Sequence, residues 1–179
     1  MSDALFYNTP GQMLSERFTG GTLDNLSVAF GYDSLLRRSS LLSKLNTTTL
    51  TTANYAYTNN SRLWAVDDGA STVNKTIYSY LANSPLVSQI SFKNGSNVRM
   101  TTTKQYDSMN RLLVISNAPS ADAPLSFAYQ YNVANQRTRC TLADGSYWAY
   151  EYDKLGQVIS GKKHWADGTP VAGQQFEYG

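Results

Sequence analysis

A tyrosine recurs along this 179-residue chain at intervals of 21 to 26 residues. The positions are Tyr7, Tyr32, Tyr57, Tyr80, Tyr106, Tyr131, Tyr152 and Tyr178. Self-similarity at a nearly constant period is the signature of a repeat array, in which each copy packs on its neighbours. The sequence therefore predicts seven copies of one structural unit, and the eighth tyrosine begins a further copy.

Each periodic tyrosine closes a short segment with the pattern of a β-strand. In Tyr55-Ala56-Tyr57 and Tyr150-Glu151-Tyr152 two aromatic residues alternate with a small or polar one. Side chains alternate between the two faces of a strand, so both rings lie on one face. The sequence predicts one aromatic face, with rings stacking from one unit to the next.

Turn residues follow each of these segments. An Asp or Asn after the tyrosine, such as Asp107, can open a turn by hydrogen-bonding to backbone groups further on. Four residues past the tyrosine stand Gly11, Asn110, Asn135 and Gly156, which tolerate a left-handed backbone conformation. The second unit departs from this pattern, because Leu36 occupies that position.

A second turn is expected within each unit. Several units carry a hairpin dipeptide there: Asp68-Gly69, Asn94-Gly95, Asp144-Gly145 and Asp167-Gly168. Longer connections are predicted at residues 46–52 and 117–124. Each unit is thus a strand, a tight turn and a returning strand. The prediction is an all-β fold: a curved antiparallel strip of consecutive β-hairpins, about fourteen strands in all, open rather than a closed shell. Residues 1–179 are expected to form a single array.

These residues resemble the YD repeats of Rhs proteins, of bacterial insecticidal toxin complex proteins and of teneurins. The copies most similar to that pattern begin at Tyr106, Tyr131 and Tyr152, and the resemblance covers essentially the whole chain. It implies hairpins joined edge to edge into a long antiparallel strip. In the family such strips spiral into a hollow shell, often around a toxic polypeptide, and the proteins are often exported or held at the cell surface.

The chain departs from the family in the number of its repeats and in the segment after Tyr152. Seven units are far fewer than the arrays that enclose a cargo, so the chain is expected to be a piece of a shell. Nothing after Tyr152 resembles the Pro- and Asp-rich segment at which Rhs toxins are cut free, so no releasable toxin is expected. The implied partners are further YD repeats, or a second copy of the chain through its strand edges.

Composition narrows the classes of function. The net charge is only +2, without a run of like charges, so the electrostatic pattern of a nucleic-acid binder is missing. No signal peptide is recognised, and no apolar run is long enough to span a membrane. A single cysteine, Cys140, excludes an internal disulfide and is expected to be a small packed residue.

Catalytic motifs are few. His164 is the only histidine, so any serine- or cysteine-based mechanism would have to use it. The sequence around it, Lys162-Lys163-His164-Trp165, is interpreted first as a solvated hairpin arm with His164 exposed beside Trp165. A catalytic role for His164 is the alternative.

Acidic residues recur at the turns. Asp67, Asp68, Asp144 and Asp167 lie at repeat-spaced positions, and carboxylates with turn carbonyls are the ligands that calcium prefers. Asp-Gly and Asx turns require Asp at these positions in any case. The four residues are therefore both turn formers and candidate calcium ligands.

Two functions of different classes follow. The first is a structural or binding module, a piece of an Rhs-type shell whose aromatic face contacts carbohydrate, protein or a small molecule. The second is a calcium-assisted hydrolase of a small ester or lactone, with Asp67, Asp68 and His164 as candidate catalytic residues. The sequence leaves open whether the chain is an enzyme.

Overall fold

The computed structural model describes residues 2–70 and 73–178, which form strands and one short 3₁₀ turn. Fifteen strands occur in this part of the chain. They are β1 (Ser2–Tyr7), β2 (Met13–Thr19), β3 (Leu26–Tyr32), β4 (Arg38–Leu45), β5 (Thr48–Tyr57), β6 (Leu63–Asp67), β7 (Asn74–Tyr80), β8 (Val87–Asn94), β9 (Asn97–Tyr106), β10 (Leu112–Pro119), β11 (Leu125–Tyr131), β12 (Arg137–Leu142), β13 (Tyr147–Tyr152), β14 (Val158–His164) and β15 (Pro170–Glu177). The 3₁₀ turn is Gly21–Leu23.

The sheet follows the order of the sequence. Each strand neighbours the next from β1 to β15 in one open sheet, as the hairpin prediction requires. The prediction of an all-β strip of consecutive antiparallel hairpins is confirmed. One strand more than the expected fourteen is present, because β15 leads into Tyr178 and begins the eighth copy.

The chain divides into two compact units. Unit 1 consists of Met1–Ser79 with Ser91–Val98, and unit 2 consists of Tyr80–Ile90 with Arg99–Gly179. That residues 1–179 act as a single array stays a prediction.

A β-bulge recurs beside the periodic tyrosines. The pairing register shifts at Phe6/Tyr7, Gly31/Tyr32, Ala56/Tyr57, Gln130/Tyr131 and Glu151/Tyr152, and a shift in β10 lies opposite Tyr106. In each hairpin the strand after the turn carries one extra residue. Such a bulge bends the strand locally and increases its twist. The periodic tyrosine therefore marks a defined irregularity of the backbone.

The turn after six of the periodic tyrosines has one conformation, whereas after Tyr80 the positive φ lies one residue earlier, at Asn83. The fourth residue past the tyrosine has a positive φ of 59–84° at Gly11, Leu36, Ser61, Asn110, Asn135 and Gly156. The expectation for Gly and Asn at this position is confirmed. Leu36 adopts the same conformation with φ 61°, although a leucine is disfavoured there. The surrounding turn therefore imposes the backbone geometry on Leu36.

The long connection predicted at residues 46–52 is wrong. β4 ends at Leu45 and β5 begins at Thr48, so only Asn46 and Thr47 form the turn. Asn46 supplies the positive φ, 52°, that a tight hairpin needs, and β-branched threonines favour a strand after it. In the second predicted connection, β10 continues to Pro119 and the loop is confined to residues 120–124.

Neither unit has a thick hydrophobic core. Ala65 and Val171 are the only buried apolar side chains among the residues described. The other apolar side chains are half-buried or exposed, as expected for a sheet open to solvent on both faces. Within residues 2–70 and 73–178 there is no helix with the length and apolar character that a membrane crossing requires.

Candidate functional site

The Asp or Asn after each periodic tyrosine organises its turn. In the second unit, Asp33 Oδ1 accepts hydrogen bonds from the backbone N–H groups of Leu35 and Arg37, both at 2.9 Å. Asp33 Oδ2 accepts from Arg37 Nε at 2.7 Å. These bonds, the side-chain bond from Arg37 first, hold the pKa of Asp33 below its ordinary value. The same turn forms at Asp107, and Asn132 replaces the carboxylate with an amide.

The hydroxyl groups of five periodic tyrosines join their hairpin to the one before it. Each hydroxyl donates to the backbone carbonyl of a residue at the beginning of the strand after the preceding turn. The pairs are Tyr32 with Met13 (2.9 Å), Tyr57 with Arg38 (2.9 Å), Tyr106 with Val87 (3.0 Å), Tyr131 with Leu112 (2.8 Å) and Tyr152 with Arg137 (2.7 Å). We call this series the tyrosine ladder. It links repeats through hydrogen bonds at the positions where ring stacking was expected.

A second series runs forward along the turns. The fifth residue past a periodic tyrosine donates to the turn of the following hairpin: Gln12 to Leu36 O (2.8 Å), Arg37 to Ser61 Oγ (3.0 Å) and Arg111 to Asn135 Oδ1 (2.8 Å). The guanidinium groups of Arg37 and Arg111 also lie 4.4 and 4.9 Å from the ring centres of Tyr57 and Tyr131. The recurring Arg or Gln at this position was the sequence signal for these contacts.

Aromatic side chains cluster on one face of unit 2. Trp148 lies parallel to Tyr150 and to Phe176, with ring centres 6.5 and 6.2 Å apart. Burial raises the pKa of the Tyr150 hydroxyl, and it also raises the pKa of the Cys140 thiol. Cys140 is the Cα partner of Trp148 on the neighbouring strand. It is thus a packed, poorly ionised residue, as its sequence context indicated.

His164 lies in a stack of side chains. Its ring is 5.0 Å from that of Tyr147, with an angle of 16° between the planes, and its Nδ1 is buried without a hydrogen-bond partner. Arg139 lies 3.4 Å from the ring centre of Tyr147. Because Arg139 and His164 come from the strands on either side of β13, Tyr147 separates them. His164 is half-buried, so the interpretation of it as an exposed arm residue is wrong.

The four acidic candidates all serve in turns. Asp68 accepts from the N–H groups of Ala70 and Asn74 and from the Asn74 amide, and Asp67 accepts from Gly69 N and the Asn54 amide. Asp144 and Asp167 each accept two bonds, from Ser146 and Thr169 respectively. These bonds hold the pKa values of Asp68, Asp144 and Asp167 below the ordinary value.

The structure leaves the calcium site and the hydrolase as predictions. Asp67 and Asp68 belong to unit 1, while Asp144, Asp167 and His164 belong to unit 2. No group of three or more His, Cys, Asp or Glu side chains in a metal-holding arrangement occurs among the residues described.

Solved structures with the same fold come from toxin complexes. The chain superposes on a structure of the Photorhabdus luminescens Tc holotoxin pore with a TM-score of 0.77 and 14% sequence identity, over 97% of this chain and 9% of that one. A structure of TcdB2-TccC3 without the hypervariable C-terminal region gives a TM-score of 0.76 and 14% identity, over 97% of this chain and 9% of that one. A TcdB2-TccC3-Cdc42 structure gives 0.58 and 11%, over 99% and 11%.

The comparisons establish the fold. The chain spans about a tenth of the length of these structures. No protein-family model and no curated protein matches the sequence. The residues around the periodic tyrosines indicated a resemblance to YD repeats, and this resemblance is confirmed at the level of the fold.

Proposed function

We propose that this chain is a structural β-repeat module, a segment of a longer YD-repeat wall of the Rhs type whose strand edges pair with further repeats. The observation that carries the proposal is the absence of a thick core in either unit: among the described residues only Ala65 and Val171 are buried and apolar. A sheet with two open faces is suited to being a wall, because its strands are stabilised mainly by their neighbours in the sheet.

The exposed surface supports this assignment. The chain exposes 11,419 Å², whereas a folded monomer of 19.8 kDa exposes about 8,600 Å². Large aromatic and aliphatic side chains contribute to the difference, including Phe6 (53% exposed), Phe176 (45%) and Tyr178 (56%). Phe6 lies on β1 and Phe176 on β15, the two strands at the ends of the sheet order. Further strands paired there would cover part of this surface.

The contacts between repeats explain how a wall of this kind gains stability. Tyr32 and Tyr106 of the ladder bond to the preceding hairpin, and Arg37 and Arg111, five residues later, bond to the following one. A unit with both residues therefore contributes bonds on both sides. In repeat proteins such neighbour contacts add to the intrinsic stability of each copy, so stability rises with the number of copies.

Extending the array tests the proposal. Tyr152 and Tyr178 are equivalent positions in successive repeats. A copy of residues 153–178 attached directly to Tyr178 therefore continues the repeat in register. The extended chain should unfold at a higher urea concentration than the original, as followed by far-ultraviolet circular dichroism. An extension of the same composition in scrambled order is the control. If both extensions leave the midpoint unchanged, the chain is not a segment of a cooperative array.

Strand edges give a second consequence. An edge strand presents unpaired N–H and C=O groups that pair readily with another chain. The isolated 179-residue chain should therefore self-associate through β1 or β15, and light scattering over a concentration series should show masses above the monomer. A strict monomer at the highest concentration would contradict edge pairing.

A further inference from the structure

A polar cavity of about 320 Å³ lies in unit 1, near the ends of β2, β3 and β4. Its lining residues are Arg17, Asn25, Ser27, Asn46 and Thr47. All five carry hydrogen-bonding side chains, and one is a permanent cation. Ligand sites of this size, near 300 Å³, hold small molecules but are usually lined by apolar side chains. The lining of this cavity suits a ligand with several hydrogen-bonding groups.

Two cations reach this region of the sheet on the same face. Arg17 and Ser27 are directly opposite each other on β2 and β3, and Ser27 is directly opposite Lys44 on β4. Directly opposite side chains lie on one face with Cβ atoms about 5 Å apart. Among the residues that the structure describes, neither Arg17 nor Lys44 has an ion-pair partner. The Ser27 hydroxyl is thus flanked by two positive charges, neither of which forms an ion pair with a described carboxylate.

The rim of the cavity is held in place by its own hydrogen bonds. Asn25 N–H donates to Phe18 O, and Asn46 N–H donates to Asn25 O, both at 3.0 Å. The Asn25 amide donates to Asp24 Oδ2 at 2.8 Å, while Asp24 Oδ1 accepts from Gly20 N–H at 2.7 Å. Both carboxylate oxygens of Asp24 are therefore engaged in the loop. A rim that is fixed before binding loses little conformational freedom when a ligand enters.

We propose that this cavity binds an anionic sugar, either a sugar phosphate or a uronic acid. The oxyanion lies against the Arg17 guanidinium, which can donate two parallel hydrogen bonds to a carboxylate or a phosphate. Lys44 adds a second positive charge on the same face. The hydroxyl groups of Ser27 and Thr47 and the amides of Asn25 and Asn46 bind the sugar hydroxyls, since each can donate as well as accept.

Titration calorimetry of the full chain at low ionic strength tests the proposal. The probes are glucose 6-phosphate and glucuronate, with glucose and inorganic phosphate as comparators. Both anionic sugars should bind more tightly than either comparator, because only they engage the cation and the neutral side chains together. A comparison of galacturonate oligomers with monomeric galacturonate distinguishes a polysaccharide from a free sugar acid. Tighter binding of the oligomers assigns the site to a polymer.

Substitutions then locate the site. Arg17→Gln should weaken binding of the anionic sugars by about tenfold or more, since it removes a charge-assisted contact. Lys154→Gln, which removes an exposed positive charge from a turn of unit 2, should leave binding unchanged. Asn25→Gly keeps a residue that tolerates the φ of 64° found there while removing the amide, so it reports on the site even if Arg17→Gln unfolds the chain.

Three outcomes would contradict the proposal. Equal affinity in wild type, Arg17→Gln and Asn25→Gly would overturn the assignment of this cavity, as would the absence of binding by both anionic sugars. Inorganic phosphate that binds as tightly as glucose 6-phosphate would refute recognition of the sugar. None of these results depends on the repeat-wall proposal, which the extended array tests separately.

Discussion

The hydroxyl group of Tyr131 donates a 2.8 Å hydrogen bond to the main-chain carbonyl of Leu112, nineteen residues earlier in the chain. The ring of Tyr131 is at the same time 4.9 Å from the guanidinium carbon of Arg111. The Tyr131 side chain thus contacts the beginning of the preceding strand and the arginine that bonds to Asp107 in the preceding turn. This pair of contacts explains why a tyrosine, and not another aromatic residue, recurs with the period of the hairpin.

The tyrosine ladder predicts a measurable difference between two conservative substitutions. Tyr131→Phe keeps the ring and removes the hydroxyl, so the free energy of unfolding should fall by about 1 kcal/mol. Tyr7→Phe should change it little, because no described residue bonds to the Tyr7 hydroxyl. Urea denaturation of both variants makes the measurement. Equal effects at the two positions would show that the hydroxyl bond contributes nothing.

Truncation of the same side chain should cost more. Tyr131→Ala should lower the free energy of unfolding by about 3 kcal/mol, since the half-buried ring and its hydroxyl bond are both lost. Trp165→Ala is the comparison, because Trp165 is 51% exposed and a surface substitution usually changes stability little. If the two variants lose the same small amount, the ring of Tyr131 does not stabilise the sheet.

Leu36 offers a stabilising substitution. Its φ of 61° is costly for leucine, and Asn occupies the equivalent position at Asn110 and Asn135. Leu36→Asn should raise the free energy of unfolding by about 0.5–1 kcal/mol. Leu35→Asn removes a leucine of similar exposure (62% against 56%) without this backbone benefit. A Leu36→Asn variant no more stable than Leu35→Asn would indicate that the turn is unstrained.

The local fold was predictable from the sequence because the residues that recur around each periodic tyrosine have strong local structural preferences. Asp33, Asn110 and Gly156 belong to residue types with turn preferences that do not depend on distant contacts. Alternating tyrosines favour a strand. The error at residues 46–52 arose from treating Thr47 to Thr52 as a loop, although threonine favours strands. In the two-residue turn Asn46-Thr47, Asn46 has a positive φ, and the pair is not one of the usual hairpin dipeptides.

The candidate sites were harder to predict than the fold. The cavity around Arg17 joins residues from two strands and two turns, so it depends on register. Register within this sheet is shifted by bulges, and the shifts at Ser43/Lys44 and Lys162/His164 lie away from the periodic tyrosines that mark the others. The burial of His164 follows from its cross-strand partner, Tyr147, and therefore also depends on register.

Acid should destabilise the fold through its turn carboxylates. The pKa of Asp33 is lowered mainly by the hydrogen bond from the Arg37 side chain; at Asp107 the backbone and side-chain bonds from Arg111 outweigh burial, which acts in the opposite direction. A lowered folded-state pKa means that the stabilisation is complete above the unfolded value, near 3.8, and is lost as the pH falls through the lower folded value.

The double variant Asp33→Asn, Asp107→Asn tests this pH dependence. Asn132 forms the same turn with an amide, so both turns should persist in the variant. Urea midpoints measured at pH 6 and pH 3 should differ less in the variant than in the wild type, because two of the titrating groups are gone. An undiminished pH dependence would mean that Asp33 and Asp107 do not contribute to acid sensitivity.

Calcium separates the structural function from the hydrolase. The oxygens of Asp68 already accept three hydrogen bonds, and those of Asp144 and Asp167 accept two each within their turns. We therefore expect calcium to leave the melting temperature unchanged, since an ion that bound the native state would raise it. We also expect no hydrolysis of small esters or lactones above that of a heat-denatured control. A calcium-dependent rise in melting temperature that chelator reverses and that Asp67→Asn, Asp68→Asn abolishes would instead establish the metal site. Turnover that survives in that double variant would transfer the catalytic assignment to His164 and its neighbours on β14.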